Sequence, residues 1–248
     1  MTNKNKKNLR VVIIIPARLK SSRLKKKLLR SINGLPMIIR VAKNAEKLNV
    51  GKVIVGTDSN EIYNLCMKNK IKVLITSKKH NSGTDRIYEA YNLNRQTFDI
   101  VVNLQGDLPI FSKELIIKIL ELFSDKSVDV GSAVCDLIDE EINDDNVVKA
   151  KVILDDKNTG YAIDFKRKIK KAENYYHHIG IYFYRPDRLK DFVNLPRTQN
   201  EIHRGLEQMR ALDNNFKMKL VKLPYNPPSV DTLDDLKKIR LLFKKNNF

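Results

Sequence analysis

The chain has 248 residues, of which 42% are hydrophobic and 31% charged, and its formal net charge at pH 7 is +18. That hydrophobic share is enough for a sizeable core, which indicates a globular protein, and the lack of any apolar run near the ~20 residues of a membrane helix excludes a membrane-spanning one. Two cysteines that do not cluster leave no basis for a disulfide framework or a zinc site, and we expect a cytoplasmic protein.

A positive charge of this size is also typical of nucleic-acid-binding proteins. The lysines, however, are spread along the whole chain, and the sequence has no helix-turn-helix, zinc-finger or aromatic RNA-binding signature. We therefore interpret most of the charge as surface chemistry and do not expect nucleic acid as a partner.

The first half of the chain alternates between strand and helix patterns. Residues 11–15 are an unbroken run of valine and isoleucine, typical of a strand buried on both faces in a parallel sheet. Repeated strand–helix–strand units predict a parallel sheet with helices on both faces. The predicted strands of this half are residues 11–15, 52–56, 71–75 and 100–104, and the predicted helices are residues 37–48, 60–69, 84–92 and 112–123.

After residue 123 the strand patterns follow one another at short spacing, which predicts antiparallel additions to the sheet. We expect one domain over residues 1–248, with a core at 9–243 and ragged termini at 1–8 and 244–248. The predicted strands of this half are residues 128–135, 149–154, 161–165, 179–184 and 217–223, and the predicted helices are residues 201–212 and 232–243.

A cluster of cations follows the first predicted strand, which ends at Pro16. In an open α/β sheet the ligand crevice lies at the carboxyl ends of the strands, where guanidinium and ammonium groups would neutralise a triphosphate. A solvated charge run is the usual alternative for a Lys-rich segment, but the position at a strand end favours the ligand site. The cluster consists of Arg18, Lys20, Arg23, Lys25, Lys26, Lys27 and Arg30.

Two aspartates are candidate magnesium ligands. Asp107 follows a predicted strand and lies on the same edge of the sheet as the basic loop, and Asp231 precedes the last predicted helix. Mg²⁺ takes oxygen ligands and is shared with substrate phosphates, so one or two carboxylates suffice. Each aspartate has an alternative role, Asp107 in an Asx-turn or cap and Asp231 as a helix N-cap. The metal prediction requires the two to meet in space.

At these residues the sequence resembles the 3-deoxy-manno-octulosonate cytidylyltransferases, also called CMP-Kdo synthetases, over about residues 11–240. The family's motifs occur in the family's order. They are P-A-R-x-x-S-x-R-L from Pro16, I-N-G-x-P-M-I from Ile32, S-G-T-D-R from Ser82, N-L-Q-G-D-x-P from Asn103, Y-H-H-I-G-I-Y from Tyr176, L-E-Q-M-R from Leu206 and V-D-T from Val230.

The resemblance implies a single cytidylyltransferase domain with a Rossmann-like α/β fold of the nucleotide-diphospho-sugar transferase type. Its mostly parallel sheet would be flanked by helices, with a smaller dimerisation lobe and a homodimeric assembly. The implied reaction joins CTP to 3-deoxy-D-manno-octulosonate (Kdo), an acidic sugar, giving CMP-Kdo and pyrophosphate for lipopolysaccharide biosynthesis, with Mg²⁺ as cofactor.

The resemblance also implies a role for each motif residue. The triphosphate would be held by Arg18, Arg23 and Lys27, with Ser82, Gly83 and Thr84 near the cytosine. Gln105 would lie close to the reacting centre, and Asp107 and Asp231 would hold magnesium. The sugar acid would face Arg167, His178, Glu207 and Gln208, with Arg167 pairing with its carboxylate.

Without the resemblance, several of these residues have simpler explanations. Arg167 stands among lysines and would be solvated, and His178 lies in an apolar strand where a lone histidine is usually a satisfied core residue. Glu207 and Gln208 would be surface residues. The Ser82 segment would only start a helix, with Thr84 as N-cap.

The chain departs from the family pattern at three places. Its basic loop lacks the two prolines of the family's Leu-Pro-x-Lys-Pro, so Lys25 or Lys26 could substitute for Lys27. Leu108 stands where many relatives carry glutamate, and the segment between Arg167 and Tyr175 is short and Lys-rich. Two alternatives remain open, a cytidylyltransferase for a related acid such as 8-amino-Kdo or a nonulosonic acid, and, ranked lower, a basic nucleic-acid-binding protein.

Overall fold

The computed structural model describes residues 9–19, 21 and 23–246, apart from the side chain of residue 246. The predicted ragged N-terminus, residues 247 and 248 of the predicted ragged C-terminus, and Lys20 of the basic loop lie outside the described residues.

The strands of the described chain form one large sheet and one small hairpin. In chain order they are β1 (Val11–Ala17), β2 (Ser31–Ile32), β3 (Leu35–Pro36), β4 (Lys52–Thr57), β5 (Val73–Ile75), β6 (Ile100–Asn103), β7 (Val130–Cys135), β8 (Lys149–Val152), β9 (Thr159–Lys166), β10 (Tyr175–Tyr184) and β11 (Met218–Lys222). The hairpin is β2–β3. The other nine strands lie in the order β5-β4-β1-β6-β10-β7-β11-β9-β8.

The half of the sheet built from β5, β4, β1 and β6 is parallel throughout, as the sequence predicts. In the other half, β10 is antiparallel to both β6 and β7, and β11 is parallel to β7 and antiparallel to β9. The prediction of antiparallel additions is therefore confirmed, since β10 is antiparallel to β7 and β8, and β8 is antiparallel to β9. The exception is the parallel pair of β7 and β11. A further pairing of β8 with β10 closes β10, β7, β11, β9 and β8 into a ring.

Helices cover both faces of the sheet. They are α1 (Met37–Lys47), α2 (Asn60–Lys68), α3 (Gly83–Leu93), α4 (Lys113–Glu121), α5 (Asp139–Ile142), α6 (Pro186–Asn194), α7 (Gln199–Arg204), α8 (Gln208–Asp213) and α9 (Leu233–Asn246), with short 3₁₀ turns at Lys27–Leu29 and Leu122–Ser124. Within the described residues, no helix is long and apolar enough to cross a membrane.

Two of these helices correct the sequence prediction of one helix over residues 201–212. Gly205 adopts a left-handed conformation with φ of 60° and ends α7, as glycine commonly does after the last turn of a helix. Residues 205–207 separate α7 from α8, which begins at Gln208. The sequence patterns did not predict α5 and α6 either, although Pro186 at the first turn of α6 is a typical helix start.

The core lies in two layers because successive side chains of a strand point to opposite faces. Ile13 and Ile15 of β1 pack in one layer, which α1, α2, α4 and α9 cover. Val12 and Ile14 pack in the other layer, which α3, α6 and α8 cover. Burial on both faces explains why the β1 sequence shows no polar alternation.

Candidate active site

A cleft of about 210 Å³ opens at the carboxyl ends of β1 and β6. The loop after β1 contributes cations, the loop after β6 contributes Gln105 and Asp107, and the segment before α9 contributes Asp231. The predicted residues that line the cleft are Arg18, Arg23, Lys27, Gln105, Asp107 and Asp231. The structure thus brings the predicted triphosphate and metal residues to one place.

The two candidate metal ligands meet in this cleft. The backbone N–H of Val230 donates to the carbonyl of Asp107 at 3.0 Å, which joins the segment before α9 to the loop after β6. Nζ of Lys27 then donates to Asp107 Oδ2 at 2.6 Å and to Asp231 Oδ1 at 2.9 Å. Both carboxylates therefore lie within contact distance of one positive centre.

Thr232, and not Asp231, is the N-cap of α9. The Thr232 hydroxyl accepts a hydrogen bond from the N–H of Asp235 at 3.2 Å, and the Asp235 carboxylate accepts from the N–H of Thr232 at 2.8 Å. Such a reciprocal pair satisfies the first donors of a helix. The carboxylate of Asp231 is consequently available to the cleft.

Of the three consecutive lysines in the basic loop, Lys27 is the one that enters the cleft. Lys26 is exposed and pairs with Glu61 at 2.9 Å, and Lys25 is exposed. Burial by itself would lower the pKa of Lys27, but the Asp107 and Asp231 carboxylates outweigh burial and raise that pKa above its ordinary 10.5. Lys27 is therefore a fixed positive charge, and Lys25 and Lys26 do not replace it in this structure.

The Ser82–Thr84 segment starts α3 beside the cleft. Ser82 is the N-cap, because its hydroxyl accepts from the N–H of Asp85 at 3.1 Å, so the expectation of Thr84 as N-cap is wrong. A Cβ on Gly83 would lie 3.4 Å from Pro16 Cγ, which places the helix start against the end of β1. The predicted cytosine-side residues are thus neighbours of the basic loop.

A chain of hydrogen bonds leads from the cleft to Glu207. Gln105 Nε2 donates to Asn103 Oδ1 at 3.2 Å, and Asn103 Nδ2 donates to Thr84 Oγ1 at 3.4 Å. Thr84 Oγ1 in turn donates to Glu207 Oε2 at 3.1 Å. Asn103 has no role predicted from the sequence, although a polar residue at the end of an apolar strand is a recognisable signal.

Glu207 and Gln208 are not the surface residues that the simpler explanation requires. Gln208 is buried, and Oε1 of Glu207 is buried without a hydrogen-bond partner among the described residues. Burial raises the pKa of Glu207, although Ser82, Arg210 and Thr84 favour its ionised form. A buried acceptor without a partner can accept a hydrogen bond from a hydroxyl group of a ligand.

A second, larger cavity of about 760 Å³ adjoins the cleft and shares Arg23, Gln105, Asp107 and Asp231 with it. His178 lies on its wall, but Nε2 of this histidine is 3.0 Å from Ser132 Oγ. Burial, and then the neighbouring His177, lower the pKa of His178 to about 3. His178 is therefore neutral and already has a partner within the protein, as expected of a core histidine.

Arg167 lies outside the lining of both cavities. Its guanidinium donates to the carbonyl of Asp145 at 2.8 Å and to the carbonyl of Gly205 at 3.4 Å. Residues 144 and 146, on either side of Asp145, do line the larger cavity. The structure thus places Arg167 behind the wall of the cavity.

His177 and Glu141 also line the larger cavity, and neither has a role predicted from the sequence. Nδ1 of His177 lies 2.9 Å from Glu141 Oε1 without the alignment of a hydrogen bond, and Nε2 is 3.2 Å from Asn226 Nδ2. Only the fold reveals this cluster, because its three members come from separate segments.

A cationic loop that faces carboxylates at the carboxyl edge of parallel strands defines an α/β nucleotide-binding protein. Comparison with known proteins narrows this class. A family model described as cytidylyltransferase matches residues 12–222. A 3-deoxy-manno-octulosonate cytidylyltransferase of Francisella tularensis subsp. novicida is 39% identical over 243 residues, covering 93% of this chain and 97% of the relative. The enzyme of the same name from Polynucleobacter asymbioticus is 40% identical over 245 residues, covering 93% and 94%.

Solved structures agree with these sequences. CMP:2-keto-3-deoxy-manno-octonic acid synthetase complexed with CTP superposes with a TM-score of 0.85 at 32% identity, covering 95% of this chain and 99% of the other. A 4-diphosphocytidyl-2C-methyl-D-erythritol synthase from Anaerococcus prevotii, at 13% identity and a TM-score of 0.62, covers 96% and 99% and shares the fold. The chain belongs to the 3-deoxy-manno-octulosonate cytidylyltransferases within the cytidylyltransferase family, which confirms the resemblance seen in the motifs.

Proposed function

We propose that the chain transfers the cytidylyl group of CTP to Kdo, giving CMP-Kdo and pyrophosphate for lipopolysaccharide biosynthesis. The observation that carries this proposal is the cleft, in which Arg18, Arg23 and Lys27 lie beside Asp107 and Asp231. Family membership identifies cytosine as the base of the nucleotide and Kdo as the acceptor of the cytidylyl group. We place the reaction in the cytoplasm, where CTP is available.

The protein's contribution to the reaction is positioning and charge. The anomeric 2-hydroxyl of the sugar attacks the α-phosphate, and pyrophosphate leaves. Arg18, Arg23 and Lys27 would stabilise the charge on the phosphoryl oxygens and the leaving group, and Gln105 would lie near the reacting centre. Ser82, Gly83 and Thr84 would face the cytosine.

The donor set of the cleft fits magnesium. Asp107 and Asp231 offer hard oxygen ligands. The two carboxylates are close enough for one cation to contact both, as the ammonium group of Lys27 does. We propose that these two aspartates hold Mg²⁺ together with substrate phosphates. The ion would neutralise phosphate charge and make a bound hydroxyl more acidic.

The larger cavity is the proposed site of the sugar acid. His178 lies on its wall, whereas Glu207 and Gln208 do not line it. The contact proposed between Glu207 and a sugar hydroxyl is supported only by the buried Glu207 Oε1, which has no hydrogen-bond partner among the described residues. Gln208 follows Glu207 at the start of α8. Arg167 could reach the sugar carboxylate only by releasing the carbonyls of Asp145 and Gly205, so it is the least supported member of this set.

Pyrophosphate release tests the reaction. With Mg²⁺ present, we expect release from CTP only when Kdo is added, and little release when ATP, GTP or UTP replaces CTP. Faster release with 8-amino-Kdo or a nonulosonic acid than with Kdo would favour the related-acid alternative. No release with any of these acids would reject the proposed reaction.

We also propose that the protein is a homodimer joined through the outer face of β8 and β9, which would be the dimerisation lobe. Large apolar side chains are exposed there, namely Ile153, Tyr161 and Ile163. Ile163→Lys should convert a dimer into a monomer in sedimentation equilibrium, whereas the same change at the exposed Met67 of α2 should not. A wild-type monomer at micromolar concentration would contradict the proposal.

A further inference from the structure

The ammonium group of Lys27 lies where a metal ion bound by Asp107 and Asp231 would also have to lie. Its distances of 2.6 and 2.9 Å to the two carboxylates are those of charge-assisted hydrogen bonds, and its side chain is only 13% exposed. Two neighbouring carboxylates repel each other, and Lys27 offsets that repulsion. An ammonium and a divalent cation repel each other at contact distance, so they cannot occupy this position together.

We propose that Lys27 and Mg²⁺ are alternative partners of Asp107 and Asp231. Before substrate binds, Lys27 holds the two carboxylates together. When the metal arrives with the nucleotide, it replaces Lys27, and the ammonium moves to the phosphates. This inference rests on the proposed function, because that function places the metal between the two aspartates.

The exchange requires the side chain of Lys27 to move but not its backbone. Lys27 begins a single 3₁₀ turn, and the next residue, Leu28, is buried against Gly106. A Cβ on Gly106 would come within 3.1 Å of Leu28 Cδ2, so the loop after β6 and the turn fit closely. The turn therefore stays in place while the flexible stem of Lys27 swings. Arg18 and Ser21 line the same cleft, and a phosphate beside them would be within reach of the ammonium.

Because of the charges in the cleft, the two aspartates should bind a metal ion that arrives with the nucleotide more tightly than a free metal ion. Arg23 lies 3.0 Å from Asp231 Oδ1, so in the substrate-free state two cations already balance the two carboxylates. A free metal ion must displace Lys27 and leave that ammonium without a partner. A metal ion that arrives with a triphosphate brings a new partner for Lys27. The nucleotide should therefore raise the affinity for the metal, and by reciprocity the metal should raise the affinity for the nucleotide.

Binding of Mn²⁺, counted by electron paramagnetic resonance without nucleotide, tests the exchange independently of turnover. Lys27→Gln should bind Mn²⁺ at least about tenfold more tightly than the wild type, because the variant removes a like charge at contact distance. Lys26→Gln is the matched control, since Lys26 pairs with Glu61 outside the cleft, and it should leave the affinity unchanged. With CTP present the order should reverse, and Lys27→Gln should bind Mn²⁺·CTP more weakly than the wild type.

The outcomes separate this inference from the function on which it rests. If Asp107→Asn loses Mn²⁺ binding but Lys27→Gln binds Mn²⁺ no more tightly than the wild type, the exchange is refuted and the metal site stands. If Asp107→Asn binds Mn²⁺ as the wild type does, the proposed metal site fails and the exchange fails with it. Lys27→Met is a second charge-removing variant, and the circular dichroism of each variant establishes that it is folded.

Discussion

Among the ion pairs of the described residues, the pair between Glu201 and Arg210 has both side chains buried most deeply, so its loss should destabilise the fold strongly. The two side chains are 4% and 6% exposed, and Arg210 donates to both carboxylate oxygens, at 2.8 and 2.7 Å. Arg210 also lies over the ring of Phe192, 4.7 Å from its centroid. The pair joins α7 to α8 across Gly205 and thereby places Glu207 and Gln208 at the start of α8.

Glu201→Gln removes the negative charge while keeping the shape of the side chain. The buried guanidinium of Arg210 then loses the carboxylate that accepts both of its hydrogen bonds, and breaking a buried pair in this way costs about 3–5 kcal/mol. The free energy of unfolding, measured by urea titration at pH 7, should fall by that amount.

Arg197→Ala is a matched control for the same carboxylate. Arg197 donates to Glu201 Oε1 at 3.1 Å, but its side chain is 55% exposed, so its loss should cost about 0–1 kcal/mol. A loss below about 1 kcal/mol in Glu201→Gln, or equal losses in the two variants, would refute the reasoning that burial sets the energy of this pair.

Three further predictions concern the site. Asp107→Asn and Asp231→Asn should each abolish magnesium-dependent pyrophosphate release without changing the circular dichroism, whereas the exposed Asp234→Asn should keep full activity; normal turnover in either cleft variant would remove that aspartate from the metal site. Glu207→Gln should raise the free energy of unfolding at neutral pH, because burial raises the pKa of the wild-type carboxyl and its ionisation destabilises the folded state. That gain should vanish below the ordinary pKa of 4.5, where both states hold the proton, and a gain independent of pH would contradict the prediction. Burial and the neighbouring His177 lower the pKa of His178 from 6.5 to about 3, so between these pH values the unfolded wild type binds a proton that the folded protein does not. The free energy of unfolding of the wild type should therefore fall with decreasing pH, and His178→Gln should reduce this fall by about 1.4 kcal/mol per pH unit. Parallel pH profiles of the two proteins would overturn it.

Some parts of the fold could be predicted because their signals are local. The apolar run of residues 11–15 predicts a strand buried on both faces, and these residues of β1 are buried. The break between α7 and α8 was missed although Gly205 is a local signal, because the apolar spacing of residues 201–212 continues across it. The start of β10 was placed at 179 instead of Tyr175, since the residues before Ile179 are polar and aromatic where the strand pairs with β8.

By itself, the sequence determined the alternation of strands and helices along the first half of the chain, the basic loop after β1 and, through the motifs, the family. The tertiary structure alone decided which candidate residues meet. Lys27 and Asp231 are 204 residues apart, and they touch because the loops after β1 and β6 and the segment before α9 share one edge of the sheet. It also raises the pKa of Glu207 and lowers the pKa of His178, because desolvation depends on side chains that pack from distant parts of the chain.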